Sequence, residues 1–241
     1  RSGTTLLDTC LRGHSQIAVM EEIEIIAELA REFPNILEWW PSDSLIAPQR
    51  SAIQTAYWAL ADHHLGTTAA SVVIDKMPLN LLNVHLLHNI FPSAKFVLAL
   101  RHPMDCVLSC FMQNFKLNLP MATMLSAQTA AELYDAGMLQ FDSATNTYGL
   151  QVHCHKYEAL IDAPEDSLRT LLAFLDLPWD SRVLDNVGTA TARQRINTPS
   201  YAQVSQPLYS TSKERWRRYE TELVACKATL SPWIKRLGYL P

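Results

Sequence analysis

The stretch Lys95-Phe-Val-Leu-Ala-Leu-Arg-His-Pro-Met-Asp-Cys-Val-Leu-Ser109 decides the fold. Its first half is a short apolar run without alternation, the pattern of a strand buried on both faces of a parallel sheet. Its second half changes period. Pro103 suits the first turn of a helix, and Asp105 stands where the helix dipole favours an acid. Two further runs read as buried strands, Ser71–Asp75 (SVVID) and Leu150–His155 (LQVHCH). Helices are predicted over Glu22–Phe33, Gln49–Leu65, Asn80–Ile90, Met104–Phe115, Ala122–Leu139 and Glu165–Leu175. Thr211-Ser-Lys-Glu214 has capping-box spacing and predicts another helix through Cys226, with Trp216 as its core anchor. Strands alternating with helices predict an α/β fold of the phosphate-loop type. It is one three-layer domain over residues 1–241, with a central parallel sheet flanked by helices.

Composition narrows the function. The chain has 241 residues, 48% hydrophobic and 18% charged, enough to fill one large core. Acidic residues outnumber basic ones, 24 to 20, which argues against a general nucleic-acid binder and confines any polyanion binding to a local site. No run approaches a membrane span, no signal-peptide pattern opens the chain, and a cytoplasmic protein is expected. The five cysteines are odd in number and widely spaced, so neither a disulfide framework nor a zinc site is expected. His153 and His155 share one side of a strand, but no third ligand accompanies them, and no metal is expected.

Two places have the chemistry of an anion site. The chain opens Arg1-Ser-Gly-Thr-Thr-Leu-Leu7. Gly3 permits a tight turn whose N–H groups close around an oxyanion at the start of a helix. Arg1 adds a forked cation, and Ser2, Thr4 and Thr5 add hydroxyl donors. Such loops follow a buried strand, and none precedes Arg1, so a first strand, and with it a longer upstream region, is expected before this chain. The Lys of an ATP- or GTP-binding loop is missing. The second place is Arg101 and Ser109, at the strand end and two turns into the next helix, where both reach one phosphate. The competing reading pairs Arg101 with Asp105 and buries Ser109.

Taken in order, these segments resemble the sulfotransferases that use 3′-phosphoadenosine 5′-phosphosulfate, most closely the protein-tyrosine enzymes and the bacterial enzymes carrying tetratricopeptide repeats upstream. Arg-Ser-Gly-Thr-Thr5 is similar to the family's 5′-phosphosulfate loop, and Arg101 through Ser109 to its 3′-phosphate motif. Asp75-Lys-Met-Pro78, Lys156-Tyr-Glu-Ala-Leu160 and Thr198-Pro-Ser-Tyr-Ala-Gln-Val204 match further motifs, the last with Pro207 and Arg215-Trp216 behind it. The resemblance implies Glu22 as the base, with Glu21 as the fallback if the local loop shifts by one. It implies Lys76 on the bridging oxygen and Ser200 on the reacting sulfate. Arg1 through Thr5, Arg101, Ser109, Tyr157, Ser200 and Arg215 would bind the donor. The acceptor would be a hydroxyl on a peptide, phenol or saccharide, and an upstream repeat domain is a possible partner.

Two departures from the protein-tyrosine pattern stand out. Gln113 occupies the place of a second 3′-phosphate Arg. Ile23-Glu24 replaces the Thr-Arg that helps to meet acidic acceptor peptides, so an acidic peptide is a poor candidate acceptor. Two other classes remain open at this stage. A phosphate-loop kinase would need a Mg²⁺ carboxylate, for which Asp75 is the candidate. A non-catalytic nucleotide-binding module would bind the donor without turnover.

Overall fold

A computed structural model describes residues 1–37, 46–66, 68–115, 118–192, 206, 208 and 211–240. The order begins with α1 (Thr4–Leu11), β1 (Ile17–Glu21), α2 (Ile25–Glu32), α3 (Ala47–Leu65), β2 (Val72–Lys76) and α4 (Val84–Ile90). It continues with β3 (Phe96–Leu100), α5 (Pro103–Phe111), α6 (Leu119–Ala122), α7 (Ala127–Tyr148), β4 (Val152–Lys156) and α8 (Tyr157–Asp162). The helices α9 (Pro164–Phe174), α10 (Asn186–Ala192) and α11 (Lys227–Arg236) follow. The chain is α/β, and its three expected strands fall within two residues of the expected bounds.

The strand β1 was not expected. Ile17-Ala-Val-Met-Glu21 is a short apolar run directly before a helical pattern, and the helical period of the residues after it conceals it. Glu22 separates the two. It sits in the left-handed region at φ 54°, which ends the strand, and the helix begins only at Ile25. Other bounds shift for local reasons. The predicted 80–90 helix splits at Asn83 into a 3₁₀ turn, Pro78–Leu82, and α4. Ser126 caps α7 by accepting from the Thr129 N–H, so that helix starts later than expected and runs on to Gly149.

The capping box at residues 211–214 does not form. Glu214 is left-handed at φ 52°, which prevents a regular helix start, and 3₁₀ turns at Arg215–Tyr219 and Val224–Cys226 replace the helix. Trp216 is nevertheless buried, together with Leu223 and Cys226, and its backbone N–H donates to Asp105 Oδ1 at 2.9 Å.

Both strand contacts are parallel. β1 pairs with β2 from Ile17↔Val72 to Glu21↔Lys76, and β3 pairs with β4 from Phe96↔Val152 to Leu100↔Lys156. Among the described residues these are two strand pairs rather than one continuous sheet, because β2 and β3 do not hydrogen-bond to each other. A shared helix binds the pairs together. Leu6, Leu7, Cys10 and Leu11 of α1 belong to a core that takes Val72 and Ile74 from β2 and Val97 and Ala99 from β3. The alternate residues of β3, Phe96 and Leu98, pack with Phe141 and Ala144 of α7. That two-residue period packs β3 against a core on each face.

Candidate active site

The site begins with a backbone constraint. Gly3 is the N-cap of α1 at φ 87°, a left-handed conformation, and an added Cβ would stand 2.6 Å from the Tyr157 ring. Both the turn and the close approach of Tyr157 therefore require glycine. The first N–H groups of α1 have no acceptor within the helix and point toward the loop. Residues 1–6 line a cavity of ≈ 340 Å³ together with Glu22, Arg101, Ser109, Tyr157 and Ser212. The remaining wall is mostly apolar, with Leu81, Leu98, Met121, Leu133, Tyr134 and Met138 among its residues.

The expected anion motifs meet in this cavity. Arg1 Nε donates to Ser109 Oγ at 3.3 Å, so Arg1 spans the space between the two motifs that the sequence treats as separate. Burial, with a smaller contribution from Arg101, pulls the Arg1 pKa below its ordinary value. Arg101 lies over the Tyr157 ring, 5.1 Å from its centroid, and donates through Nη2 to the Ser212 carbonyl. Its distance to Asp105 Oδ1 is 3.9 Å, a long ion pair. Burial raises the Asp105 pKa, and Arg101 opposes that rise. Arg101 thus contacts Asp105, as the competing reading expects, and it also lines the cavity, as does Ser109, which is only partly buried.

The acid–base groups meet at the ends of β1 and β2. Lys76 Nζ lies 2.9 Å from Glu22 Oε1, 3.3 Å from Glu21 Oε1 and 3.2 Å from Asp8 Oδ2. The register explains the pairing: Glu21 and Lys76 are directly opposed, and the Glu22 N–H donates to the Lys76 carbonyl at 2.8 Å. Glu22 is a cavity residue, with a side chain 34% exposed, against 9% for Glu21. Asp8 was not foreseen. It is 1% exposed on α1 and also pairs with Arg12 at 3.3 Å. The signal available in the sequence was a carboxylate inside the otherwise buried run Leu6–Leu11.

Other expected residues lie elsewhere. Arg215 is exposed at the start of its 3₁₀ turn and is not among the cavity's described lining, because the turn directs Trp216 inward instead. Gln113 also lies off the described lining. Ser200, the rest of Thr198–Val204 and Pro207 fall outside the described residues. Asp75 accepts from the Tyr57 hydroxyl at 2.9 Å, and burial raises its pKa. Its side chain therefore faces α3 and not the cavity. Among the described residues, no group of three or more His, Cys, Asp or Glu is placed to hold a metal. No described helix is long and apolar enough to cross a membrane.

The comparisons with known proteins agree with the fold. An uncharacterized protein of Aquifex aeolicus is 27% identical over 98% of this chain and 32% of its own length. Protein-tyrosine sulfotransferase A of Caenorhabditis elegans is 25% identical over 100% of this chain and 65% of its own. The chain thus spans about a third of the first relative and about two thirds of the second. The sulfotransferase domain of the Synechococcus PCC 7002 olefin synthase superposes with a TM-score of 0.63 at 17% identity, covering 100% of this chain and 92% of that one. The model of the sulfotransferase family matches residues 1–181, three quarters of the sequence. The chain belongs to the sulfotransferase family.

Proposed function

We propose that this protein transfers a sulfuryl group from 3′-phosphoadenosine 5′-phosphosulfate to a hydroxyl acceptor. One observation carries the reading: the Arg1–Thr5 loop, Arg101 with Ser109, and Glu22 line one cavity, and Lys76 is ion-paired to Glu22 at its edge. The loop N–H groups and Arg1 would hold the 5′-phosphosulfate, and Arg101 with Ser109 the 3′-phosphate. Tyr157 fixes the guanidinium of Arg101 from below. Ser200 would steady the sulfate.

In the transfer, the acceptor oxygen forms a bond to sulfur as the bond from sulfur to the bridging phosphate oxygen breaks. Glu22 takes the acceptor proton, and Lys76 stabilises the charge growing on the leaving oxygen. Protein-tyrosine sulfotransferase is the name of several relatives, and a phenol is accordingly a reasonable acceptor. An acidic peptide fits poorly beside Glu24. The cavity's mostly apolar wall favours an uncharged alcohol or phenol. The kinase reading loses its metal carboxylate, since Asp75 is turned toward Tyr57.

The test incubates the protein with labelled donor and a panel of phenols, alcohols and saccharides. Label should pass to at least one acceptor and leave 3′-phosphoadenosine 5′-phosphate behind. Donor binding without transfer to any member would favour a non-catalytic nucleotide-binding module.

A further inference from the structure

Lys76 poses a problem for the proposed chemistry. An ammonium has three N–H groups, and here three carboxylates, those of Asp8, Glu21 and Glu22, lie within 3.3 Å of it. Lys76 donates hydrogen bonds to Glu21 and Glu22, and its contact with Asp8 is an ion pair, so the base, Glu22, is itself tied to the cation it should work beside. Burial separates the three carboxylates. Asp8 and Glu21 are 1% and 9% exposed, whereas Glu22 is 34% exposed at the cavity wall.

The partners of Asp8 and Glu21 hold them in place. Asp8 lies on α1 among the buried residues Leu6 to Leu11, and its other oxygen is held by Arg12 at 3.3 Å. Glu21 is fixed by its position directly opposite Lys76 in the strand ladder. Glu22 follows β1 in a left-handed turn, and its side chain lines the cavity.

We infer that Asp8 is a positioning residue which, as a buried counter-charge and together with Glu21, holds the Lys76 ammonium in place, so that Glu22, the exposed partner, is the one exchanged when the donor binds. The donor's bridging oxygen takes the N–H that Glu22 gives up, and Glu22 is released as a free carboxylate at the moment an acceptor hydroxyl needs a base. No covalent bond changes in this step. One hydrogen bond passes from a carboxylate to a phosphosulfate oxygen. Asp8 sits one turn from the anion loop, on the helix that forms it, and thereby links loop geometry to Lys76. The inference rests on the proposed transfer reaction.

A double-mutant cycle on the full chain tests it, with Asp8→Asn, Lys76→Ala and both together, assayed by sulfuryl transfer to 4-nitrophenol or another acceptor that the panel identifies. Asp8→Asn should lower kcat about tenfold while leaving the KM for the donor within about threefold, since it touches no donor atom. In the Lys76→Ala background the same substitution should change kcat by less than about twofold, because its effect runs through the missing ammonium. Equal losses in both backgrounds would overturn the inference and leave Asp8 with a general structural role. An Asp8→Asn enzyme with unchanged kcat would also overturn it. If Asp8→Asn does not fold, Glu21→Gln carries the same prediction in the same cycle. A wild-type protein that transfers no label to any acceptor would instead refute the proposed function, an outcome distinct from active wild type with additive variants.

Discussion

Gly3→Ala tests the anion loop through two separable terms. Gly3 has φ 87°, and an alanine forced into the left-handed region costs about 1–2 kcal/mol. The new Cβ would also stand 2.6 Å from Tyr157 Cδ2, inside contact distance of a buried ring that carries Arg101 above it. Displacing a packed group of this kind costs about 1–3 kcal/mol more. Gly149 supplies the control. It caps α7 at φ 61° with no atom within 4 Å of a built Cβ, so Gly149→Ala carries the first term alone.

Urea unfolding of the two variants should show Gly3→Ala less stable than Gly149→Ala by about 1–3 kcal/mol. Calorimetry with 3′-phosphoadenosine 5′-phosphate should show weakened binding only for Gly3→Ala, because the ring it displaces supports Arg101. Equal destabilisation of both variants, with nucleotide affinity intact, would refute the contact between the loop and Tyr157.

Three other outcomes are expected. Arg101→Ala should weaken binding of the 3′-phosphorylated nucleotide by about 1.5–3 kcal/mol, the scale of a charge-assisted hydrogen bond, and leave adenosine 5′-phosphate binding almost unchanged; equal losses in titration calorimetry would make Arg101 purely structural. Glu22→Gln should reduce turnover by about 10²–10⁴, with partial recovery on more acidic phenols, which need less help from a base; Glu21→Gln as the more damaging variant would move the base by one residue. His155 is 3% exposed, and burial lowers its pKa from 6.5 to about 4. Below pH 6.5 the unfolded chain therefore binds a proton that the folded one refuses. The stability this residue confers should be complete above that pH and fall progressively toward pH 4, by on the order of 3 kcal/mol. His155→Phe should flatten that acid limb in thermal melts.

The sequence by itself determined the features that depend on neighbouring residues. Phe96–Leu100 is an unbroken apolar run too short for a typical helix and reads as a buried strand, and Pro103 with Asp105 marked the helix after it. The glycine in Arg1-Ser-Gly-Thr-Thr5 announced its positive φ, because few other residues tolerate that turn. The ordered motifs, read together, pointed to the family. Only the tertiary structure decided where distant charges meet. That Lys76 faces Glu21 follows from the β1–β2 register, and β1 is too short to separate from the helical pattern behind it. Asp8 enters the site because α1 packs across both strand pairs, a long-range arrangement; a carboxylate inside the run Leu6–Leu11 marks the residue as unusual but does not locate its partner. The 211–214 capping box failed for the same reason. Burying Trp216 against α5, where Asp105 takes its backbone N–H, outweighed the local preference for a helix start and drew the chain into 3₁₀ turns that leave Arg215 exposed.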